Sequence, residues 1–325
     1  MTRFLLSRMT HAVLLLFGVS LLTFLFTALA PGDYFEEMRL DPRIGPETVS
    51  ALRTRFGLDR PLAVRYASWL KSVVRGDLGY SFSYNSPAGP LLWARARSTL
   101  LLTFTATLLT WGLALPLGIW SAERLGKIPD TLISWAMAAL LVIPDLVIAL
   151  GLLLLAVRSG WFPTGGMASV NADALTAGQR IGDLGRHLIL PVAVLVFVAL
   201  PVVVRHVRAA MIGVLDAPFL RVARGHGIRR HRLLYRYALP AAANPLISLF
   251  GLSIGALISG SLIVEITMSW PGIGPFMVEA ILARDIYVVL GGVLLSTCFL
   301  IAGNFCADLI LYWADPRIRA GSEEK

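Results

Sequence analysis

Charge is scarce in this chain. Of its 325 residues, 15% are Asp, Glu, Lys or Arg and 56% are hydrophobic, and the mean hydropathy is +0.72. A soluble domain needs more polar surface than that to cover its core, so the soluble globular class is excluded. Cysteine is nearly absent. Cys298 and Cys306 fall eight residues apart in one apolar run, about 12 Å of helical rise, too far to bridge within that helix. They are expected to be buried apolar thiols, and a disulfide scaffold is excluded. No stretch reads G-x-x-x-x-G-K-[ST], because Gly126-Lys127 is followed by Ile128; an ATP site of the P-loop kind on this chain is excluded. The five histidines form no metal-ligand spacing with Cys, Asp or Glu, and no Ser-His-Asp set stands out. A metal, another cofactor or a catalytic centre is therefore not expected. The net charge of +9 sits in loops beside apolar runs with no aromatic platform between the cations. That pattern fits cytoplasmic loops of a membrane protein, not nucleic-acid binding.

What the sequence does have is apolar runs of about 20 residues, each enough to span roughly 30 Å of hydrocarbon as a helix. Six are expected, at about 12–30, 98–122, 131–157, 188–214, 245–268 and 287–313. The fold class is all-α: a polytopic membrane protein with six transmembrane helices. Ala28-Leu29-Ala30 is a possible leader-cleavage site, but the apolar run before it is longer than a usual leader core, so a retained first span is expected. Pro116, Pro144, Pro191 and Pro201 fall inside spans, where proline usually marks a kink.

From the inner end of the fourth span to the start of the fifth lie Arg205, Arg208, Arg221, Arg224, Arg229, Arg230, Arg232 and Arg236 against the lone carboxylate Asp216. That loop should be cytoplasmic, and an even number of spans then places both termini inside. The polar region from Pro31 to Arg97 falls outside. It reads as a helical insertion: one helix begins at Pro46 and ends at Gly57 with Val49, Leu52 and Phe56 on one face, and a second runs from Pro61 to Gly76 with Leu62, Tyr66, Trp69, Leu70 and Val73 at helical spacing. Expected divisions are 1–97 for the first span plus this region, 98–313 for the transmembrane domain with a cytoplasmic loop at about 215–240, and 314–325 for a cytoplasmic tail.

Inside the basic loop, Gly227 stands thirteen residues before the proline of Leu239-Pro240. A glycine there allows φ above zero and close approach of another surface, and its flanks favour two short helices meeting at an elbow. Such an elbow can dock into a partner; a basic loop can also lie on anionic lipid headgroups.

With Val222 and Ala223 at its Ala positions, Gly227 at its Gly and Leu239-Pro240 at its end, this loop resembles that of the inner-membrane permeases of binding-protein-dependent ABC importers. Arg221 stands where the family's leading Glu is expected, similar to what its peptide-importing branch uses. Further stretches resemble the dipeptide/oligopeptide/nickel branch along nearly the whole chain. They are Pro31-Gly32-Asp33, Gly57-Leu58-Asp59-Arg60-Pro61, Tyr66, Trp69-Leu70 and Gly76 to Ser81; then Gly160-Trp161-Phe162-Pro163 with Gly165, and His187 to Pro191; and finally Ser269 to Gly274 and Asp315-Pro316-Arg317-Ile318-Arg319. The resemblance implies a type I ABC importer permease, the loop fitting a groove on an ATPase subunit. The implied partners are a homologous second permease subunit, two cytoplasmic ABC ATPases and an extracytoplasmic solute-binding protein. The solute would be a di- or oligopeptide or a related small molecule, and ATP hydrolysis would take place on the partners.

Asp145, directly after Pro144, falls about fourteen residues into the third span, where a lipid-facing carboxylate costs about 2.5–3.5 kcal/mol on insertion scales. It should face the bundle interior, either lining the solute pathway or partnered at a helix interface. Glu265 near the outer end of the fifth span, with Trp270, Pro271, Gly272 and Gly274 in the turn after it, are candidates for an external gate or binding-protein surface. The alternative for this turn is an interfacial anchor, with Trp270 in the aromatic belt. The competing function is a secondary transporter or channel, which would need a coupling-ion site within the chain; apart from Asp145 no intramembrane acid or broken-helix pair suggests one, and six spans without an evident internal repeat disfavour it.

Overall fold

The computed structural model describes residues 2–30, 32, 34–39 and 45–314. Pro31, Asp33, Asp41 and the ending from Asp315 to Lys325 lie outside them. The chain opens with α1 (Thr2–Leu29), followed by three short helices, α2 (Tyr34–Arg39), α3 (Pro46–Arg55) and α4 (Leu62–Val74). A two-residue antiparallel hairpin, β1 (Tyr80–Ser81) with β2 (Ser86–Pro87), leads into α5 (Ala88–Glu123), then α6 (Ile128–Val142) and α7 (Asp145–Ser159). After a 3-10 turn at Ala172–Ala174 come α8 (Ala177–Leu215), α9 (Pro218–Gly225), α10 (Arg230–Arg232), a π-helical turn at Leu233–Ala238 and α11 (Leu239–Ala241). The chain closes with α12 (Ala243–Thr267), α13 (Ile273–Leu282) and α14 (Ile286–Ala314).

Five of these, α1, α5, α8, α12 and α14, are long and apolar enough to cross a bilayer. The expected third span is not one helix. It is the pair α6 and α7, bent by 95° at Ile143-Pro144, so six crossings are reached only if that pair counts as one. Each half has 15 residues and rises about 22 Å, short of the roughly 30 Å of hydrocarbon. Proline permits the break. The ring of Pro144 disfavours helical geometry at the residue before it, and Ile143 is extended at φ −79° and ψ 122°, followed by Pro144 itself at ψ 142°. Pro116, Pro191 and Pro201 sit inside helices that continue past them.

The chain divides into two compact units. The first comprises Met1–Phe4, Leu100–Trp270 and Leu300–Lys325; the second comprises Leu5–Thr99 and Pro271–Phe299. In the first, α8 is the hub: α6, α7 and α12 all pack on it, and α7 also packs on α12. A capping box of Thr176 and Gln179 starts α8 eleven residues before the expected span. Its Val203, Val204, Val207 and Met211 form one core with Trp111 and Ile119 of α5 and Met137 of α6.

The second unit has an aromatic centre in which Phe35, Phe56 and Phe82 pack with ring centroids 4.9–6.2 Å apart around a fully buried Val49. The α3 face expected at Val49, Leu52 and Phe56 is the face that packs there, and Trp69 of α4 is buried beside Phe24 and Leu290. Leu62, assigned to the same face of α4, is instead exposed. Buried Asp285 ties the hairpin to the start of α14, its Oδ2 accepting the Ser81 hydroxyl at 2.6 Å and the Ser83 N–H at 3.1 Å. Tyr84 donates to Glu279 at 2.6 Å, and that hydrogen bond, with burial and the carboxylate charge adding to it, raises the phenol above its ordinary value. The thiol expectation needs correction: Cys298 is half-buried and Cys306 is exposed, because α14 presents more than one apolar face.

Candidate functional site

Helix α8 ends at Leu215, and the extended residue Ala217 with Pro218 at the first helical position opens α9. The helix runs for eight residues and closes on Gly227, whose φ is +73°. The Gly227 N–H reaches Arg224 O at 3.0 Å and the Ile228 N–H reaches Ala223 O at 3.4 Å, the paired bonds of a Schellman closure. Ala223 and Ile228 pack on the same apolar core, as that motif's hydrophobic contact requires. A Cβ at Gly227 would meet nothing within 4 Å, so the outer side of the turn is open to an approaching surface.

The elbow is anchored from beneath. Leu220 is fully buried in the α5–α8 core, and Leu233, Leu234 and Ala238 of the π turn enter the same core. Pro240 accounts for the π turn: it has no N–H, and its ring crowds the carbonyl four residues back, widening the preceding turn. On α9, Val222 is 60% exposed and Phe219, Arg221 and Arg224 are exposed with it; Tyr235 and Tyr237 of the π turn are exposed as well. Of the expected residues, Arg221, Val222, Ala223 and Gly227 thus share one elbow, while Leu239 and Pro240 lie in α11, with Leu239 on its core and Pro240 exposed.

Arg221 has a local role of its own. Its Nε and Nη2 donate to Asp216 O at 3.1 and 2.9 Å, so the guanidinium caps the C-terminus of α8, where a cation also complements the helix dipole. A glutamate could not make these bonds. Arg230 pairs with Glu123 at the end of α5. A cavity of about 440 Å³ under the elbow is walled in part by Glu123, Asp216, Arg224 and Arg230.

Asp130 is the residue that sequence reasoning missed. It is 4% exposed in the first turn of α6. Its Oδ1 accepts Arg208 Nε at 2.7 Å and the Ser121 hydroxyl at 2.5 Å, and its Oδ2 accepts Arg208 Nη2 at 2.9 Å and the Gly126 N–H at 2.9 Å. One carboxylate therefore joins α5, α6, α8 and the turn between α5 and α6. The only sequence signal was an acid beside Pro129 at a helix start; its partner lies 78 residues away.

The other expected residues are dispersed. Asp145 is the half-buried first residue of α7, at the break. Glu265 is fully buried within α12, where Ser261 Oγ lies 3.1 Å from its Oε1, so it does not line an exposed loop. Trp270 is 1% exposed in the core of the first unit with Met268 and Val264. That corrects its expected place in an interfacial belt: the turn folds the indole inward. Gly166 N–H, in the loop after α7, bonds to Met268 O at 3.0 Å. In the second unit Pro271 and Gly272 lead into α13 with Gly274 in its first turn, and the Ile273 N–H is capped by Thr99 Oγ1 at 2.8 Å.

Comparison with known proteins fits this architecture. Residues 114–320 match the family described as binding-protein-dependent transport system inner membrane component, and residues 1–102 match its N-terminal domain. The oligopeptide transport system permease protein AppB of Bacillus subtilis is 34% identical over 320 residues, covering 98% of this chain and 99% of the relative. The dipeptide transport system permease protein DppB of Escherichia coli K12 is 31% identical over 336 residues, with the same coverage. A chain from an inward-facing structure of the MetNI methionine ABC transporter superposes with a TM-score of 0.53 at 17% identity, covering 69% of this chain and 96% of that one. The last shows the shared fold alone, the all-α fold of type I ABC importer permeases. The expectation that no broken-helix pair is present needs correction, since α6 and α7 form one at Pro144, yet full-length relatedness decides against the secondary-transporter class. The chain belongs to the inner-membrane component family of binding-protein-dependent transport systems, and is a membrane-spanning permease subunit of such an importer.

Proposed function

We propose that this permease imports short peptides or a related small solute, and that it is driven by two cytoplasmic ABC ATPases docked at the α9 elbow. The observation that carries the reading is the elbow itself: a left-handed glycine with open space outside it, beside an exposed apolar and cationic face, on a support fixed by Leu220 and the Arg221 cap. A surface loop resting on headgroups needs charge. It does not need a rigid Schellman closure beneath exposed Val222. The elbow lies on the cytoplasmic side in this reading, with both termini there too and the 31–97 region outside. A homologous second permease completes the pathway, lipid surrounds the pair and an extracytoplasmic binding protein delivers the solute. The chain itself holds no cofactor and hydrolyses no ATP. The peptide assignment is supported by the names of the permeases it resembles.

Proteoliposomes containing the assembled complex and binding protein should accumulate a radiolabelled dipeptide only with ATP inside the ATPase compartment, at a rate unchanged by a proton uncoupler. Uptake that collapses with the uncoupler while ATP is maintained would rule the reading out.

Asp145 is a pathway group in this reading, set at a helix start where a break interrupts the span. Asp145→Asn keeps the volume and removes the charge. It should lower uptake of dipeptides with a cationic side chain several-fold more than neutral ones, at equal complex abundance and equal basal ATPase activity. Equal losses for both solutes would remove Asp145 from the pathway.

The turn that begins at Trp270 and leads through Pro271, Gly272 and Gly274 into α13 belongs in this reading to the receiving surface on the outer side. Glu265, buried near the end of α12 just before this turn, belongs to the external gate in this reading.

A further inference from the structure

Three stretches have no part in coupling or in the pathway: Gly57 to Pro61, Trp69 with its neighbours on α4, and Gly76 to Ser81. All of them wall one cavity of about 330 Å³ in the second unit, within the size range of small-molecule sites, about 300–1,000 Å³. The turn after α3 supplies Phe56 and Arg60, α4 supplies Arg65 and Trp69, and Tyr80 and Tyr287 close the far side. Gly79 makes the closure possible: at φ +104° it lies so near Tyr287 that a Cβ there would stand 2.9 Å from the ring.

The polar groups in this cavity select for an anion. Trp69 Nε1 already donates to Leu78 O at 3.2 Å, and the Tyr80 hydroxyl to Asn85 Oδ1 at 2.6 Å, so these rings offer the cavity mainly hydrocarbon. Asp77, the one carboxylate in the wall, accepts the Gly79 N–H on Oδ1 at 2.9 Å. Against it stand two guanidinium groups. Arg65 lies with Cζ 5.9 Å from the centroid of the Phe24 ring, and its Nε is buried with no hydrogen-bond partner among the described residues. A buried donor left unpaired is costly, and the Nε–Nη edge of a guanidinium matches the two oxygens of a carboxylate. A cationic or purely apolar occupant would leave that edge unsatisfied.

We propose that this cavity binds a small organic carboxylate of amino-acid or dipeptide size. Arg65 forks its two oxygens, Arg60 adds a second positive charge, and the apolar part of the ligand lies against Trp69 and Tyr80. The site belongs to the second unit and is independent of the elbow and of Asp145, so its occupancy does not depend on the transport reading.

The test uses the full chain in lipid nanodiscs without ATPases or binding protein, titrated calorimetrically with alanyl-phenylalanine and with its C-terminal amide. The free acid should bind saturably, and the amide at least about tenfold more weakly, the loss expected for a charge-assisted fork. Arg65→Lys keeps the charge but not the planar edge, and should weaken the free acid by a similar factor with an unchanged melting temperature. Arg60→Gln, at an exposed position, should weaken it several-fold and serves as the second variant if Arg65→Lys unfolds. Equal binding of acid and amide, no binding of either, or wild-type affinity in the folded variants would overturn the proposal. So would a failure of the free acid to bind while Arg65→Lys weakens capture of the binding protein, since the cavity would then take a side chain of that partner.

Discussion

Gly227→Val is expected to cut ATP-driven uptake sharply while leaving membrane insertion intact. At φ +73° a β-branched residue is an outlier, and the left-handed conformation costs an L-residue roughly 1–2 kcal/mol. Two outcomes are open to the chain. If the turn holds, a branched side chain stands in the space that is now empty to 4 Å and obstructs the docking partner. If it opens, the bonds from Gly227 and Ile228 back into α9 are lost and Val222 no longer faces outward on a fixed support. Uptake should fall at least about tenfold either way, equivalent to 1.4 kcal/mol or more of lost coupling. Gly225→Ala is the control. Gly225 is the last helical residue of α9 and has open space around it, so alanine should be neutral or stabilising by about 0.4–1 kcal/mol. ATPase co-purification and uptake, measured for both variants at matched permease abundance, separate them; loss in both, or in neither, contradicts the role given to the turn.

Asp130→Ala is expected to be the most destabilising single change in the first unit. It strands the Arg208 guanidinium, the Ser121 hydroxyl and the Gly126 N–H at once. Breaking one side of a buried ion pair costs about 3–5 kcal/mol. The Arg208 side chain retains 30% exposure, so water can partly replace its partner and the lower end, about 3 kcal/mol, applies. Thermal unfolding in detergent should show a clearly lowered midpoint. Asp130→Leu combined with Arg208→Leu should recover most of the loss, because no charge is then left buried. A double variant as unstable as Asp130→Ala would mean that the ion pair is not the source of the effect.

The periodic and capped elements were legible in the sequence. Pro46 and Gly57 bracket α3 because proline is preorganised for a first helical turn and glycine for the left-handed exit, and apolar spacing marked the face of α3 that packs. Gly227 was readable for the same reason, since few residues besides glycine fit that backbone. Pro144 predicts a kink, yet the chain breaks by 95° there. Three other prolines stay within continuous helices, so the residue alone does not distinguish the outcomes; packing of α6 and α7 onto α8 does. Glu265 lies in the last turn of α12, as its expected place near the end of the fifth span requires; the inward turn of Trp270 was not legible, because hydropathy locates the end of a span without saying which way the chain turns afterwards. Arg221 looked like a departure from a pattern until its bonds to Asp216 O gave it a local reason. The Asp130–Arg208 pair could not be read at all, because nothing in linear order joins an acid at the start of α6 to an arginine deep in α8.

The most direct test of the coupling elbow is a cross-link. In a background without Cys298 and Cys306, Val222→Cys should be joined by a short bifunctional thiol reagent to an engineered cysteine in the ATPase groove, in the assembled complex. The yield should change between ATP-bound and nucleotide-free states. A cysteine at Val170, an exposed position outside the elbow, should give no such product. Efficient cross-linking from Val170 and none from Val222 would place the ATPases elsewhere and contradict the account.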